Sequence, residues 1–557
     1  MSHNKSKFMK KETFVSAALI STVGLILTRI ISVIYTIPFT SMMNENALII
    51  NNYAYTMFNQ FYELSLAGLP LAVSRLIAMY NAKEEYHTSN KILRYAQIIM
   101  LSLGAILGIS FFLFAKPFAI YQLRDGNINL ANDLVNTMRI IAPSLFLLPF
   151  MSGMRGYLQG FKTVVGTSIS QVVERLVFVI VLLAGLYFGI YYFHLDAVIA
   201  ISYAYIALPI ASLAAIFVLL PFYKNIRKEH QALMKSENGT MGYDKKYLLQ
   251  QIITTALPFV IAGLASTMYA SITTLTYEKI RLFAHADPIL AQLEYNTVIY
   301  YTNKLVSIPL TFSLAMSTSI ISFITSAFEG KNHREVKNYV NRSYRIIIFS
   351  TLGSVILMAL LGKPLLVFFY GDKGYLDFMA GVLTLDGFRG MCFALETITI
   401  SIMQSIGKKN RAVLYTSLGP VVKLLLSFPL VYFFGIYGEI LSIILGLFFV
   451  ITLATRKIIE ITGIRVQTIF NALIKTIICM LPTIVFVILT NTLVDNFYPT
   501  IYESRILSIL YLGITGLIGF GMFLYVAEIT GFLQVVFGKG ASLKALVNRY
   551  LKKEGSE

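Results

Sequence analysis

Apolar runs of about twenty residues, separated by short charged breaks, recur along nearly the whole of this 557-residue chain. Each is long enough to cross roughly 30 Å of hydrocarbon as a helix. Only 13% of the residues are charged, 56% are hydrophobic, and the mean hydropathy is +0.70. A soluble domain of this size would expose far more lysine and glutamate. The fold class that follows is an all-α polytopic membrane protein. The opening MSHNKSKFMKK is basic, but the run behind it, Phe14 to Phe39, is too long for the apolar core of a cleaved signal and lacks a small-residue cleavage site. It reads as the first span.

Set against the charged breaks, the runs give about 14 transmembrane helices. Their approximate limits are 14–38, 53–80, 93–115, 133–156, 166–192, 197–223, 250–276, 296–328, 345–370, 379–405, 411–434, 438–459, 468–491 and 505–530. Lys and Arg are absent from the gaps Thr40–Asn52 and Tyr437–Glu439 and gather in the alternate ones. Lys83, Lys91 and Arg94 follow the second span, Lys224, Arg227 and Lys228 the sixth, Lys331, Arg334 and Lys337 the eighth, and Lys408, Lys409 and Arg411 the tenth. That asymmetry places both termini in the cytoplasm. It also accounts for most of the net charge of +18, since a cation near anionic inner-leaflet lipid gains about 1 kcal/mol. Nucleic-acid binding is not indicated. Cys392 and Cys479 fall inside apolar runs, so no disulfide framework is expected. The six histidines, His3, His87, His194, His230, His285 and His333, read as lying in or beside loops, which argues against a histidine metal site or a proton relay within the membrane.

The two halves of the chain echo each other. AKPFAIYQLRDG, with Lys116 and Pro117, matches GKPLLVFFYGDKG, with Lys363 and Pro364; the stretch from Leu158 matches that from Ser405, with Gly160 against Gly407. The offset stays at about 247–249 residues. Six helices separate equivalent positions, so the repeats keep one orientation and are related by a pseudo-twofold along the membrane normal. The expected organisation is an N-lobe at 1–223 (helices 1–6), a cytoplasmic inter-lobe linker at 224–249 and a C-lobe at 250–460 (helices 7–12). Two C-terminal helices, 13 and 14, fill 461–535, and a basic cytoplasmic tail at 536–557 reads as a short amphipathic helix or a solvated end. Two six-helix lobes facing each other are a transporter's architecture.

Seven cations fall within predicted spans: Arg29, Arg75, Arg139, Arg175, Lys304, Arg389 and Lys423. The acids at comparable depth are chiefly Glu63, Glu174 and Glu396, which read as charge partners or coupling groups. A cation at the bilayer centre costs about 2.5–3.5 kcal/mol even on the lenient insertion scale. Seven of them facing lipid would exceed a typical whole-protein stability of about 5–15 kcal/mol. Arg75, Arg139 and Lys304 lie close enough to helix ends to snorkel; Arg29, Arg389 and Lys423 are deeper. Glu174 adjoins Arg175, but neighbours in a helix do not face each other, so it should reach a cation on another helix. In the repeat Arg175 matches Lys423, and Arg139 lies near the counterpart of Arg389. The expectation is a water-accessible cavity whose cations Arg139, Arg175, Arg389 and Lys423 await something negative. Pro70, Pro258 and Pro309 would permit kinks beside it.

These residues meet a known family. NKLVSIPLTFSLAMSTSIISFIT, which carries Lys304, resembles the eighth helix of MurJ-type lipid II flippases of the multidrug/oligosaccharidyl-lipid/polysaccharide exporter superfamily. TRIISVIYTIPF is similar to their first helix, and LPLAVSRLIAMYNAKEE and MRGYLQGFKTVVGTSISQVVE look like the Gram-positive, stage V sporulation protein B-like polysaccharide biosynthesis branch. The resemblance implies a V-shaped two-lobe fold in a bacterial plasma membrane, with a cationic central cavity and two extra helices sheltering a lipid tail. It implies that Arg29, Arg75 and Lys304 bind the diphosphate of an undecaprenyl-linked saccharide, foremost lipid II, as it moves from the inner to the outer leaflet. Lysine at 304 replaces the commoner arginine, giving a point charge in place of a bidentate fork. Thr273 stands where relatives carry an aspartate, which weakens the case for cation coupling there.

The implied partners are a lipid-linked oligosaccharide and membrane lipids, for a monomer that works beside the cell-wall synthesis machinery. No cofactor is certain; Na+ or H+ coupling stays open, and a metal site is unknown. A teichoic acid or capsule repeat unit is an alternative cargo. An exporter of cationic drugs would need an acidic cavity, the wrong sign here. A lipid-linked sugar polymerase would need a sizeable outer loop with acid/base residues, and the longest outer gap is roughly Tyr277 to Tyr295. A scaffold without transport is a further reading.

Overall fold

The computed structural model describes residues 24, 27–28, 31–32, 34–66, 69–123, 128–161, 163, 165–237, 242–307, 310, 324, 327–328, 331–372 and 374–537. Every described element is helical. After a short helix α1 (Thr36–Ser41) come α2 (Glu45–Leu66), α3 (Leu69–Ala82), α4 (Tyr86–Leu123), α5 (Ile128–Gly160), α6 (Val165–Tyr187), α7 (Ala197–Ala204), α8 (Ala207–Lys235) and α9 (Lys245–Phe283). Then follow α10 (Pro288–Asn296), α11 (His333–Leu360), α12 (Gly362–Tyr370), α13 (Leu376–Ser405), α14 (Lys409–Thr462), α15 (Val466–Phe497), α16 (Arg505–Ile529) and α17 (Phe532–Phe537).

Among the described residues nine helices are long and apolar enough to cross a membrane. One of them, the 54-residue α14, holds two of the expected spans, because Gly435 (φ 55°, ψ −130°) breaks it in the middle. Only glycine takes that backbone cheaply, and a Cβ there would meet the Arg281 guanidinium and a Glu294 carboxylate oxygen at 3.2 and 3.3 Å. Gly438 then packs so tightly under the Leu430 carbonyl that a Cβ would sit 1.9 Å from its oxygen. Helix starts are capped where the chain leaves a span. Asp196 accepts from the Val198 amide at 2.9 Å, and Asp287 accepts from Ile289, with Pro288 in the first turn.

The chain forms two compact units, Met1–Leu275 and Thr276–Glu557. In the first, α5 is the pillar against which α2, α3 and α4 pack. Small residues let the helices approach closely: a Cβ on Gly104 of α4 would fall 2.5 Å from the Phe146 carbonyl oxygen of α5. In the second unit α11 contacts both α13 and α15, and α16 packs on α15 and α12. One apolar cluster there joins α11, α13 and α14 around Tyr344, Ile398 and Val450. Another joins α11 to α15, α16 and α17, with Phe349 and Phe523 stacked at 4.6 Å. Leu113, Phe217, Phe433 and Leu517 point outward, as side chains bathed in hydrocarbon do.

One expectation changes. His230 lies inside α8 and is buried, not beside a loop. Its Nε2 is 3.0 Å from the Tyr86 carbonyl, an obligate acceptor, and 2.8 Å from Ser89 Oγ. Nε2 therefore carries the hydrogen, and Nδ1 accepts from the Tyr157 hydroxyl at 3.1 Å. It joins α4, α5 and α8. Cys392 and Cys479 are free and buried in α13 and α15.

Candidate functional site

The segment that carries Lys304 starts as a wide π-helical stretch, Thr297–Thr302, that continues α10. Such stretches are rare and often mark functional positions. Three successive residues of it are gripped from α12 and α13. Tyr370 Oη donates to the Tyr301 carbonyl at 2.9 Å, Thr302 Oγ1 donates to Asp386 Oδ2 at 2.5 Å, and Asn303 Oδ1 accepts from Arg389 Nη2 at 3.2 Å. Lys304 follows, half-buried, with Nζ 4.1 Å from the centroid of the Tyr300 ring. That contact is a cation–π geometry.

Arg389 is thus a clamp. It forks onto Asp386, one turn earlier on α13, through Nε at 2.5 Å and Nη2 at 2.9 Å. Both side chains are nearly sealed. The expectation of Arg389 as an open cavity cation is replaced by a neutralised positioning pair, because i,i+3 residues share a helix face. The DGFR spacing carried that signal and the list of candidate acids omitted Asp386.

Lys423 has the same fate by a longer route. Its Nζ lies 2.8 Å from Glu439 Oε1, and both side chains are wholly buried. The two residues sit on opposite sides of the Gly435 break, so the turn that reverses α14 also makes the pair. Glu439 was the last residue of an expected outer gap and instead lies in the interior of the second unit. Nearby, Glu294 accepts from the Tyr277 hydroxyl at 2.6 Å and from Arg281 at 2.8 and 3.1 Å.

In the first unit Glu174 does reach a cation on another helix: Arg155 of α5 at 2.7 Å, whose Nε also donates to Ser170 Oγ at 2.9 Å. Arg155 was missed because it lies at the very end of a predicted span. Arg175, one residue along α6 and on another face, meets no carboxylate among the described residues. Its Nε donates to Ser32 Oγ at 2.6 Å, and its guanidinium carbon lies 5.3 and 5.0 Å from the Tyr35 and Phe178 ring centroids. Arg139 is exposed and lies over Phe112 at 4.8 Å. Arg75 is exposed on α3. Neither has an ion pair among the described residues.

Arg29 lies outside the described residues, as do Pro309 and the side chains of Glu63 and Pro258. Glu396 is buried in α13 and, among the described residues, makes no ion pair or hydrogen bond. Thr273 is buried and donates to the Tyr269 carbonyl at 3.0 Å. No three His, Cys, Asp or Glu side chains converge as metal ligands among the described residues. Beyond the spans, Lys363 Nζ holds Asp377 at 2.8 Å and lies 5.6 Å from the Tyr502 ring. Burial, then the Asp495 carboxylate, pushes the Tyr502 phenol above its ordinary value.

Known proteins share this frame. The model of the polysaccharide biosynthesis protein family matches residues 14–284. The lipid II flippase MurJ of Bacillus subtilis is 28% identical over 524 residues, 93% of this chain and 95% of that protein. Among solved structures, lipid II flippase MurJ in an inward closed conformation aligns with a TM-score of 0.65 at 13% identity, covering 92% of this chain and 98% of that one. An inward-facing multidrug resistance MATE family transporter of the MOP superfamily aligns with a TM-score of 0.60 at 14% identity, covering 80% and 99%. With these spans, this helical frame and this near full-length likeness, the chain is a multi-pass membrane transporter that shares the fold of these transporters and is similar, over residues 14–284, to the polysaccharide biosynthesis protein family.

Proposed function

We propose that this transporter is a flippase that moves an undecaprenyl-diphosphate-linked saccharide, first of all lipid II, from the inner to the outer leaflet of a bacterial plasma membrane. The observation that carries the reading is the likeness to a lipid II flippase over 93% of the chain. The charge pattern supports it. Arg389 and Lys423 are neutralised by their own carboxylates, which leaves Arg75, Arg139 and Arg175 without ion pairs among the described residues. Cations left without an acid suit an anionic headgroup and disfavour a cationic drug.

In this reading Arg29, Arg75 and Lys304 take the diphosphate, and the N-lobe at 1–223 and C-lobe at 250–460 alternate access around a cationic central cavity while the prenyl tail stays in lipid. Both termini face the cytoplasm. An inside-negative potential then assists outward movement by about 2.3 kcal/mol per net negative charge per 100 mV. The clamp from Arg389, Asp386 and Tyr370 onto Tyr301–Asn303 supports a fixed Lys304, because an interaction with a mobile ligand gains most from a pre-positioned partner. A different lipid-linked saccharide, such as a teichoic acid or capsule unit, is the second reading, favoured by the general polysaccharide family model.

Reconstitution into proteoliposomes with fluorescent lipid II tests both. Protease- or quencher-detected flipping by the wild-type chain, lost in Lys304→Ala and Arg75→Ala proteins that melt normally, is expected. Wild-type vesicles that flip no lipid-linked saccharide would refute the flippase; full activity in the double variant would refute the assigned phosphate ligands.

A further inference from the structure

We propose that Arg175 is the centre of an oxyanion subsite built inside the first unit, one that takes a carboxylate or phosphate group of the transported headgroup. The inference rests on the flippase reading above and adds a recognition element to it.

The case begins with what Arg175 lacks. Among the described residues three other interior cations touch a carboxylate: Arg155 with Glu174, Arg389 with Asp386, and Lys423 with Glu439. Among the same residues Arg175 is held only by neutral groups. Ser32 Oγ accepts from its Nε while donating to the Thr28 carbonyl at 2.6 Å, so the serine is fixed at both ends. Tyr55 of α2 lies nearby. The Tyr35 and Phe178 rings, both buried, lie against the guanidinium. A charge oriented this firmly that meets no counter-charge among the described residues is expensive unless an anion visits it.

Access is the second observation. Lys423, its counterpart in the repeat, is sealed, whereas Arg175, Tyr55 and Tyr62 are all half-buried. Tyr55 and Tyr62 lie seven residues apart on α2 and so share a face. Aromatic hydroxyls beside a guanidinium are the chemistry of a polar, ring-bearing ligand. The N–H groups not used by Ser32 lie in the guanidinium plane, which fits a planar or tetrahedral oxyanion gripped at two oxygens. That oxyanion has two sources: the carrier diphosphate, or a carboxylate on the saccharide or its peptide.

Binding to the purified full-length protein in nanodiscs separates these sources. The probes are undecaprenyl diphosphate, lipid II, and lipid II with its peptide carboxylates amidated. Arg175→Gln is expected to weaken binding of lipid II by at least about tenfold, with Arg175→Lys weakening it less. If the diphosphate occupies the subsite, undecaprenyl diphosphate loses affinity equally. If a headgroup carboxylate does, undecaprenyl diphosphate is unaffected and wild-type protein loses the same factor on amidated lipid II. Arg175→Gln that melts like wild type and binds every probe unchanged overturns the subsite and leaves the flippase standing; a wild type that binds none of them overturns both. Should Arg175→Gln fail to fold, Tyr55→Phe and Ser32→Ala keep the guanidinium and are expected to weaken binding several-fold, and unchanged binding in both overturns the subsite.

Discussion

Arg175 in the first unit and Lys423 in the second occupy equivalent places in the repeat, about 248 residues apart, yet they live in opposite surroundings. Lys423 is closed in with Glu439 at 2.8 Å, at the reversal that Gly435 imposes on α14. Arg175 rests on a serine hydroxyl and two aromatic rings and is half-buried. The first arrangement is structural: a buried pair whose Coulomb gain offsets the desolvation of both ions. The second keeps a charge available. Both halves carry a cation at this position, and what each does is decided by whether a carboxylate folds against it.

That contrast predicts a large asymmetry in stability. Lys423→Met strands Glu439 in a sealed site and should cost about 3–5 kcal/mol, seen as a sharply lower melting temperature in detergent and poor yield. Replacing both partners with apolar residues should recover much of the loss. Arg175→Met orphans no acid among the described residues and should cost only about 1 kcal/mol. Equal melting of the two single variants would erase the distinction.

Asp386→Asn comes next. It leaves Arg389 with half a partner and loosens Thr302 and Asn303, so a loss of about 3 kcal/mol should accompany slower flipping even where folded protein is recovered. Unchanged melting and transport would show that the clamp does not position Lys304. Glu174→Gln keeps a hydrogen-bond acceptor for Arg155 at a partly open position, with side-chain exposure of 7% and 19% for the pair. It should cost about 1–2 kcal/mol. Lys363→Ala removes a pair with a largely exposed Asp377, and thermal melting should register less than about 1 kcal/mol, fading further with added salt. A large effect there would mean that exposure is a poor guide to which pairs matter in this fold.

How much of this was legible beforehand differs from element to element. Among the described residues many of the spans were, including both halves of α14, since Gly435 falls between two predicted helices. The repeat was legible as letters and less so as structure. Pro117 lies inside an unbroken α4, while its counterpart Pro364 follows a break at Leu361 and sits in the first turn of α12. Asp386 could have been found from its spacing to Arg389. Arg155 with Glu174, and Lys423 with Glu439, could not, because nothing in the local sequence says which helices will face each other.

The chain by itself determined that it lives in a membrane as a stack of helices, and where most of them begin and end. Hydrocarbon thickness sets a length, and a run of apolar residues either meets it or does not; that is a local property of the sequence. Tertiary structure alone decided which of the interior cations are neutral in effect and which are left to act. Ion pairing falls off within a few ångströms, and those distances exist only once α5 has met α6 and the two halves of α14 have folded back on each other.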